Sequence, residues 1–164
     1  MNKVVIAVAL CVAGGAYAYV SSKKVSEDGI KEFYKNDFDY TVQMKADALC
    51  NEYADNFEGV SVSEQFGQKI SKAETCDTQK KTFEAIKKQQ DSANGGGAIA
   101  YKVDIKTITL DRDERTATVE LAYTFNMNPV IKSSGTRKDV IQKVDGQYQI
   151  VQSTDAGQTV YGSQ

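Results

Sequence analysis

Hydrophobic positions along this chain change their period once. In the first half they recur at three and four, the spacing of one helix face. In the second half they recur at two, the spacing of one strand face. Ser26, followed by Glu27 and Asp28, reads as a helix start. A serine oxygen caps free backbone N–H groups, and acidic residues suit the positive end of the helix dipole. Ile30, Phe33 and Tyr34 give that short helix an apolar side, and Asn36 with Asp37 offers a second start. From there Phe38, Val42, Ala46, Leu49, Tyr53 and Phe57 form the clearest helical stripe, with Gly59 as its stop. Val60 to Phe66 alternates weakly, as a short strand or loop would. A further helix is expected from Asp77 or Thr78 to Gln90, with Phe83 and Ile86 inward.

Asn94 to Gly97 then breaks the pattern and predicts a helix-to-strand connection. Tyr101, Val103 and Ile105 alternate before the inward phase slips to Ile108 and Leu110, which predicts a bulge. Asp111 to Arg115 is a charged turn. Ala117, Val119, Leu121, Tyr123, Phe125 and Met127 alternate without a fault, the strongest strand signal in the chain. Asn128-Pro129 ends it, Ser133-Ser134-Gly135 marks a turn, and Thr136 to Val144 is a more polar strand. Asp145-Gly146 fits a type I′ hairpin, whose centre needs positive φ twice. Tyr148 and Ile150 continue the last strand. Helices followed by an antiparallel meander of about four strands is an α+β order. The helices would cover the apolar face of a curved sheet.

The amino end is different in kind. Val4 to Val20 is apolar apart from small residues and tyrosines, with Lys3 before it and Lys23 and Lys24 after it. Ala16-Tyr17-Ala18 suits a signal peptidase. The same run, kept, would be a slightly short membrane anchor with Tyr17 and Tyr19 at the interface. Both readings put the remaining chain outside the cytoplasm. Leu10 before Cys11 is a poor match to a lipoprotein signal. The organisation expected is residues 1–24 as signal peptide or anchor, 25–155 as an exported domain and 156–164 as a flexible tail.

Removing Cys11 leaves Cys50 and Cys76, an even pair, which in an exported chain reads as a disulfide. A redox pair lacks its Cys-X-X-Cys spacing. Among 164 residues there is no histidine, which removes Ser-His-Asp and Cys-His nucleophile systems, histidine-ligated zinc and proximal-histidine haem. A net charge of −2 gives nucleic-acid binding no support. Asp111, Asp113 and Glu114 raise the question of a cation site, but Arg112 and Arg115 interrupt them and the spacing is not that of a calcium loop. The run at 94–97 lacks the spacing of a phosphate loop. Lys80, Lys81, Lys87 and Lys88 make one helix side basic, the ordinary look of a solvated face, with membrane-surface attraction as the alternative.

The element order resembles the nuclear-transport-factor-2-like fold, the cystatin-like cone of ketosteroid isomerase and its relatives. The resemblance rests on the helix with Leu49, Tyr53 and Phe57, the later helix with Phe83 and Ile86, the strand Thr116 to Met127, and the closing hairpin Val144 to Ser153 (VDGQYQIVQS). A membrane segment before such a domain is also similar in layout to the periplasmic assembly subunit of type IV secretion systems, although this chain is shorter. The resemblance implies a cone with an apolar pocket, which some relatives use as enzymes and many only for binding. The inward set expected here is Leu49, Tyr53, Phe57, Val119, Leu121, Tyr123 and Phe125, with no carboxylate in it. Tyr53, Phe57, Tyr123 and Phe125 are the candidate pocket lining, and Asp104 and Glu120 alternate to the outer face. No catalytic, cofactor or metal residue is carried over. The function expected is that of a non-catalytic cell-envelope module that binds a protein partner or itself. The alternatives are a small-molecule binder or isomerase-like enzyme using the cone, and an immunity or inhibitor protein.

Overall fold

Ser26 opens the first helix, its hydroxyl accepting the Gly29 backbone N–H at 3.2 Å. The computed structural model describes residues 23–62, 67–92, 99–127 and 131–161. The first helix, α1 (Glu27–Val42), runs through Asn36 and Asp37 without a break, so one helix stands where two were expected. It stops where Met44 takes a left-handed φ of 53°. A short α2 (Ala46–Asn51) follows, and then a strand, β1 (Tyr53–Val62). The long helical stripe therefore does not exist as one helix. Tyr53 and Phe57 are four apart, and an even spacing shares a face in a strand as well as in a helix. Gly59 lies inside β1 rather than at a helix end.

A strand β2 (Gly67–Ser71) leads straight into α3 (Lys72–Ser92). That helix begins five residues earlier than expected. Ser71 and Glu74 form a reciprocal cap there: the Ser71 N–H donates to Glu74 Oε2 at 2.8 Å, and the Glu74 N–H donates to Ser71 Oγ at 3.3 Å. Cys76 thus sits in the second turn. Then come β3 (Ala100–Leu110), β4 (Thr116–Met127), β5 (Ile131–Val144) and β6 (Gln147–Tyr161). The bulge in β3 falls between Ile105 and Thr107, where the phase slip put it. Asp145 and Gly146 have φ of 49° and 81°, as a type I′ turn requires.

The strands make one sheet in the order β2-β1-β6-β5-β4-β3. The antiparallel meander β3 to β6 is as expected, but six strands stand where four were foreseen. The sheet is mixed, because β1 pairs with β6 in parallel and β2 pairs with β1 antiparallel. The expected turn at Ser133-Ser134-Gly135 is strand: these residues pair with Thr159, Gln158 and Gly157. Residues 156–161, expected as tail, are the outer half of β6 for the same reason. A ladder partner outweighs the weak strand propensity of glycine and serine.

Helix α1 lays Ile30, Phe33 and Tyr34 against Val119, Leu121, Ile141 and Ile150 in the main core. A second cluster joins Leu49, Phe83, Ile86 and Met127, where α2 and α3 meet the far end of β4. Cys50 and Cys76 are bridged, with Cα atoms 5.2 Å apart, tying α2 to α3. The segment on which the export signal rests, 1–22, lies outside the described residues, as do 63–66, 93–98, Asn128 and Pro129. Among the described residues no helix is long and apolar enough to cross a membrane.

The bridge closes a loop of 26 residues. Replacing both cysteines by serine is expected to lower the free energy of unfolding by about 3.5 kcal/mol through unfolded-chain entropy. Denaturant midpoints of the two proteins measure it. Coincident midpoints would mean that packing alone holds α2 to α3.

Candidate functional site

Strand β5 points Ile131, Ser133, Gly135, Arg137, Asp139 and Ile141 to one face. Ile141 is buried in the core, so Arg137 and Asp139 must turn inward with it. Asp139 is fully buried and well satisfied. Its Oδ2 accepts from Arg137 Nε at 2.8 Å and from the Tyr34 hydroxyl at 2.6 Å, and its Oδ1 accepts from the Ser153 hydroxyl at 2.7 Å. Burial, then the neighbouring Asp139 charge, drives the Tyr34 hydroxyl pKa well up, so it stays a donor. Burial alone would lower the Arg137 pKa, but Asp139 and Asp37 outweigh that and keep the guanidinium charged.

Two more carboxyl groups close on this pair. Asp37 follows Ile30, Phe33 and Tyr34 on the inner face of α1 and is 4% exposed. Glu52 ends α2, is 7% exposed, and shares a hydrogen bond with Asp37. Burial raises both pKa values. For Glu52 the Asp37 charge adds to it and the value reaches about 9. One guanidinium thus faces three buried carboxyls, and the Asp37–Glu52 pair holds a proton at neutral pH. Tyr101 donates to Asp37 Oδ2 at 3.3 Å.

Asp37, Arg137 and Tyr101 form the inner wall of a pocket of about 370 Å³ at the open end of the cone. Leu49, Phe83, Phe125 and Ile131 make its apolar side, and Gln79 reaches in from α3. Tyr123 lies across the paired Gly135 and Gly157 and donates to Asp155 Oδ1 at 2.9 Å. A Cβ on Gly157 would stand 2.3 Å from that hydroxyl, so glycine is what lets the ring lie there. Burial, then Asp155, pushes the Tyr123 hydroxyl up to about 12, and burial raises Asp155 as well. On the far side of the pair, Glu52 borders a separate surface depression with Asn36, Tyr40 and Tyr148. The two hydrogen-bonded carboxyls therefore link the cone interior to an outer groove.

Of the lining residues expected from sequence, Tyr123 and Phe125 line the pocket. Tyr53 and Phe57 do not: they pack edge to face at 4.6 Å in the core beneath β1, with only the Tyr53 hydroxyl reached by Gln79. The expected absence of inward carboxylates is overturned by Asp37, Glu52 and Asp139. Two of these were legible. Arg137 and Asp139 keep the phase of Ile141, and Asp37 keeps the helical spacing of Ile30, Phe33 and Tyr34. Glu52 had no such signal, because its place depends on where α2 ends. Asp104 and Glu120 are on the outer face as expected. Asp111 caps its own turn, accepting from the Arg115 N–H and the Thr116 hydroxyl, each at 2.8 Å.

Asp139→Ala leaves Arg137 charged and buried without its partner, and is expected to cost about 3–5 kcal/mol of stability in chemical denaturation. Glu52 gives a pH signature. Its folded pKa lies above its unfolded one, so the fold holds a proton that the unfolded chain has released. Stability should fall as pH rises from about 5 to about 9, by at most about 1.4 kcal/mol per unit from this group. Glu52→Gln should flatten that slope in melting curves taken across the range. An unchanged slope would mean that Glu52 is charged in the folded state.

No family model matches the sequence, and no curated protein matches it. Solved structures do match. An NTF2-like protein of unknown function from Shewanella oneidensis is 18% identical at a TM-score of 0.54, covering 79% of this chain and 97% of that one. A domain with a cystatin-like fold from Nostoc punctiforme is 10% identical at a TM-score of 0.60, covering 80% of this chain and 78% of that one. A ketosteroid isomerase-like protein from Erwinia carotovora is 14% identical at 0.56, covering 79% and 94%. Identities this low speak for architecture alone, and the chain has the NTF2-like, cystatin-like fold.

Proposed function

We propose that this chain binds a small organic molecule in its cone, in an oxidising compartment outside the cytoplasm. One observation carries the reading: a pocket of about 370 Å³ combines a continuous apolar side with convergent buried polar groups, Asp37, Arg137 and Tyr101. That combination is typical of small-molecule sites, and the volume lies in their range of about 300–1,000 Å³. The Cys50–Cys76 bridge supports the compartment. The partner-binding reading has less behind it. The outer sheet face carries Lys102, Asp104, Thr124, Lys138 and Thr154, all exposed, and an ion pair between Lys138 and Glu120 at 3.1 Å. Such a face is poor in the apolar area that a self-associating sheet would bury.

A second reading, isomerase-like proton transfer on the bound molecule, is favoured by Asp37 itself. It is a carboxyl of raised pKa, lining the pocket and backed by a proton-holding neighbour. Scaffolds of this kind place a carboxyl base where a ligand carbon can meet it.

Native mass spectrometry of the full chain, purified from its own source without denaturation, tests the binding reading. The wild type should carry a non-covalent small-molecule adduct, and Ser133→Phe, which fills the pocket wall, should lose it. An equal adduct on both proteins, or none on either, would count against the cone as the site. For the second reading, the adduct recovered from D₂O should gain deuterium on carbon with the wild type and not with Asp37→Asn. Equal labelling would remove Asp37 from the chemistry.

A further inference from the structure

Among the described residues two buried side-chain polar atoms have no hydrogen-bond partner, and both belong to residues that line the same pocket. They are Arg137 Nη2 and Gln79 Oε1. One nitrogen of each side chain is already committed. Arg137 Nε is held by Asp139, and Gln79 Nε2 donates to the Tyr53 hydroxyl at 3.4 Å. A buried group left without a partner costs about 1–3 kcal/mol, and more when charged. Gln79 sits one turn beyond Cys76 on α3, so the disulfide to α2 braces the segment that presents it. The donor from β5 and the acceptor from α3 therefore come from two braced elements that both line the cavity.

Charge narrows what they can meet. Arg137 is already outnumbered by the charges of Asp139 and of the proton-sharing Asp37–Glu52 pair, all buried, with Asp155 also on the wall. An anionic ligand would add to that excess. A cationic one would have to approach an unpaired guanidinium N–H. The apolar wall of Leu49, Phe83, Phe125 and Ile131 asks for a hydrocarbon portion on the same molecule.

We infer that the ligand is an uncharged amphipathic compound, of the carboxamide or hydroxy-ketone class, whose acceptor oxygen takes the hydrogen bond of Arg137 Nη2 while its N–H or O–H donates to Gln79 Oε1. This rests on the cone being a small-molecule site and adds the class of molecule. Arg137 and Gln79 are then the specificity-determining residues. Asp139 is a positioning residue that acts through Arg137.

Three probes of one size separate the terms: benzamide carries acceptor and donor, benzoate carries charge, and toluene carries neither. They are titrated into the full, disulfide-intact chain at pH 7.5, with binding read from side-chain ¹⁵N signals of Arg137 and Gln79 and from methyl signals of Leu49 and Ile131. Benzamide should bind about tenfold or more tighter than benzoate or toluene, the worth of one charge-assisted hydrogen bond, and should move the Arg137 signals. Gln79→Met should weaken benzamide about fivefold or more, the worth of one neutral hydrogen bond, and leave toluene unchanged. Arg137→Met strands Asp139 and puts folding at risk; the wild-type Arg137 signals and the Gln79 variant do not depend on it. Benzoate binding best, or toluene matching benzamide, would overturn the inference while leaving the cone a ligand site. No probe reaching the methyl signals would overturn the ligand site with it.

Discussion

Arg137 and Asp139 meet at 2.8 Å, the carboxylate wholly buried and the guanidinium mostly so. Such a pair is tolerated only when its remaining hydrogen-bonding capacity is filled, and here Tyr34 and Ser153 fill that of Asp139. Exchanging a buried ion pair for apolar side chains of like volume is often neutral or stabilising. The pair is thus a poor way to hold a cone together and a good way to put a fixed donor in its wall. The surrounding chemistry follows from its charge balance. With one cation among three carboxyls, Asp37 and Glu52 cannot both be ionised at modest cost, and burial lifts both.

Topology brings these groups within reach of one another. Because β1 joins β6 in parallel, the end of α2 is pinned to the sheet, with the Ile150 N–H donating to the Glu52 carbonyl at 2.8 Å. That one contact aims the Glu52 side chain at Asp37 on α1. The disulfide then carries the constraint outward to α3, and so to Gln79. In the polar network spread over α1, α2, β3, β5 and β6 each contributor is held by its own element's packing as well as by its partners.

Legibility differs from element to element for definite reasons. The meander could be read because each of its strands has one apolar face, and a period of two survives even across the β3 bulge. The start of α1 could be read from Ser26. The cap at Ser71–Glu74 was equally available and marks the start of α3 more surely than Asp77 does. By contrast, Leu49, Tyr53 and Phe57 fit two periods at once, and no local preference separates them. The Met44 turn and the pairing of β1 with β6 decide it. Residues 133–135 and 156–161 look like turn and tail by composition, and become strand because each supplies the other's ladder.

What the sequence determined by itself was the class of fold, the cysteine pair and the loss of every histidine-based chemistry, since these depend on periodicity, count and residue type. It also held Arg137, Asp139 and Asp37 in phase with buried neighbours. Only the tertiary structure decided that these three converge with Glu52 beside one cavity, and that two buried polar atoms of its lining residues are left without a partner. Convergence is a property of distances between residues far apart in the chain. Those distances are set by strand order and helix packing, which no local pattern encodes.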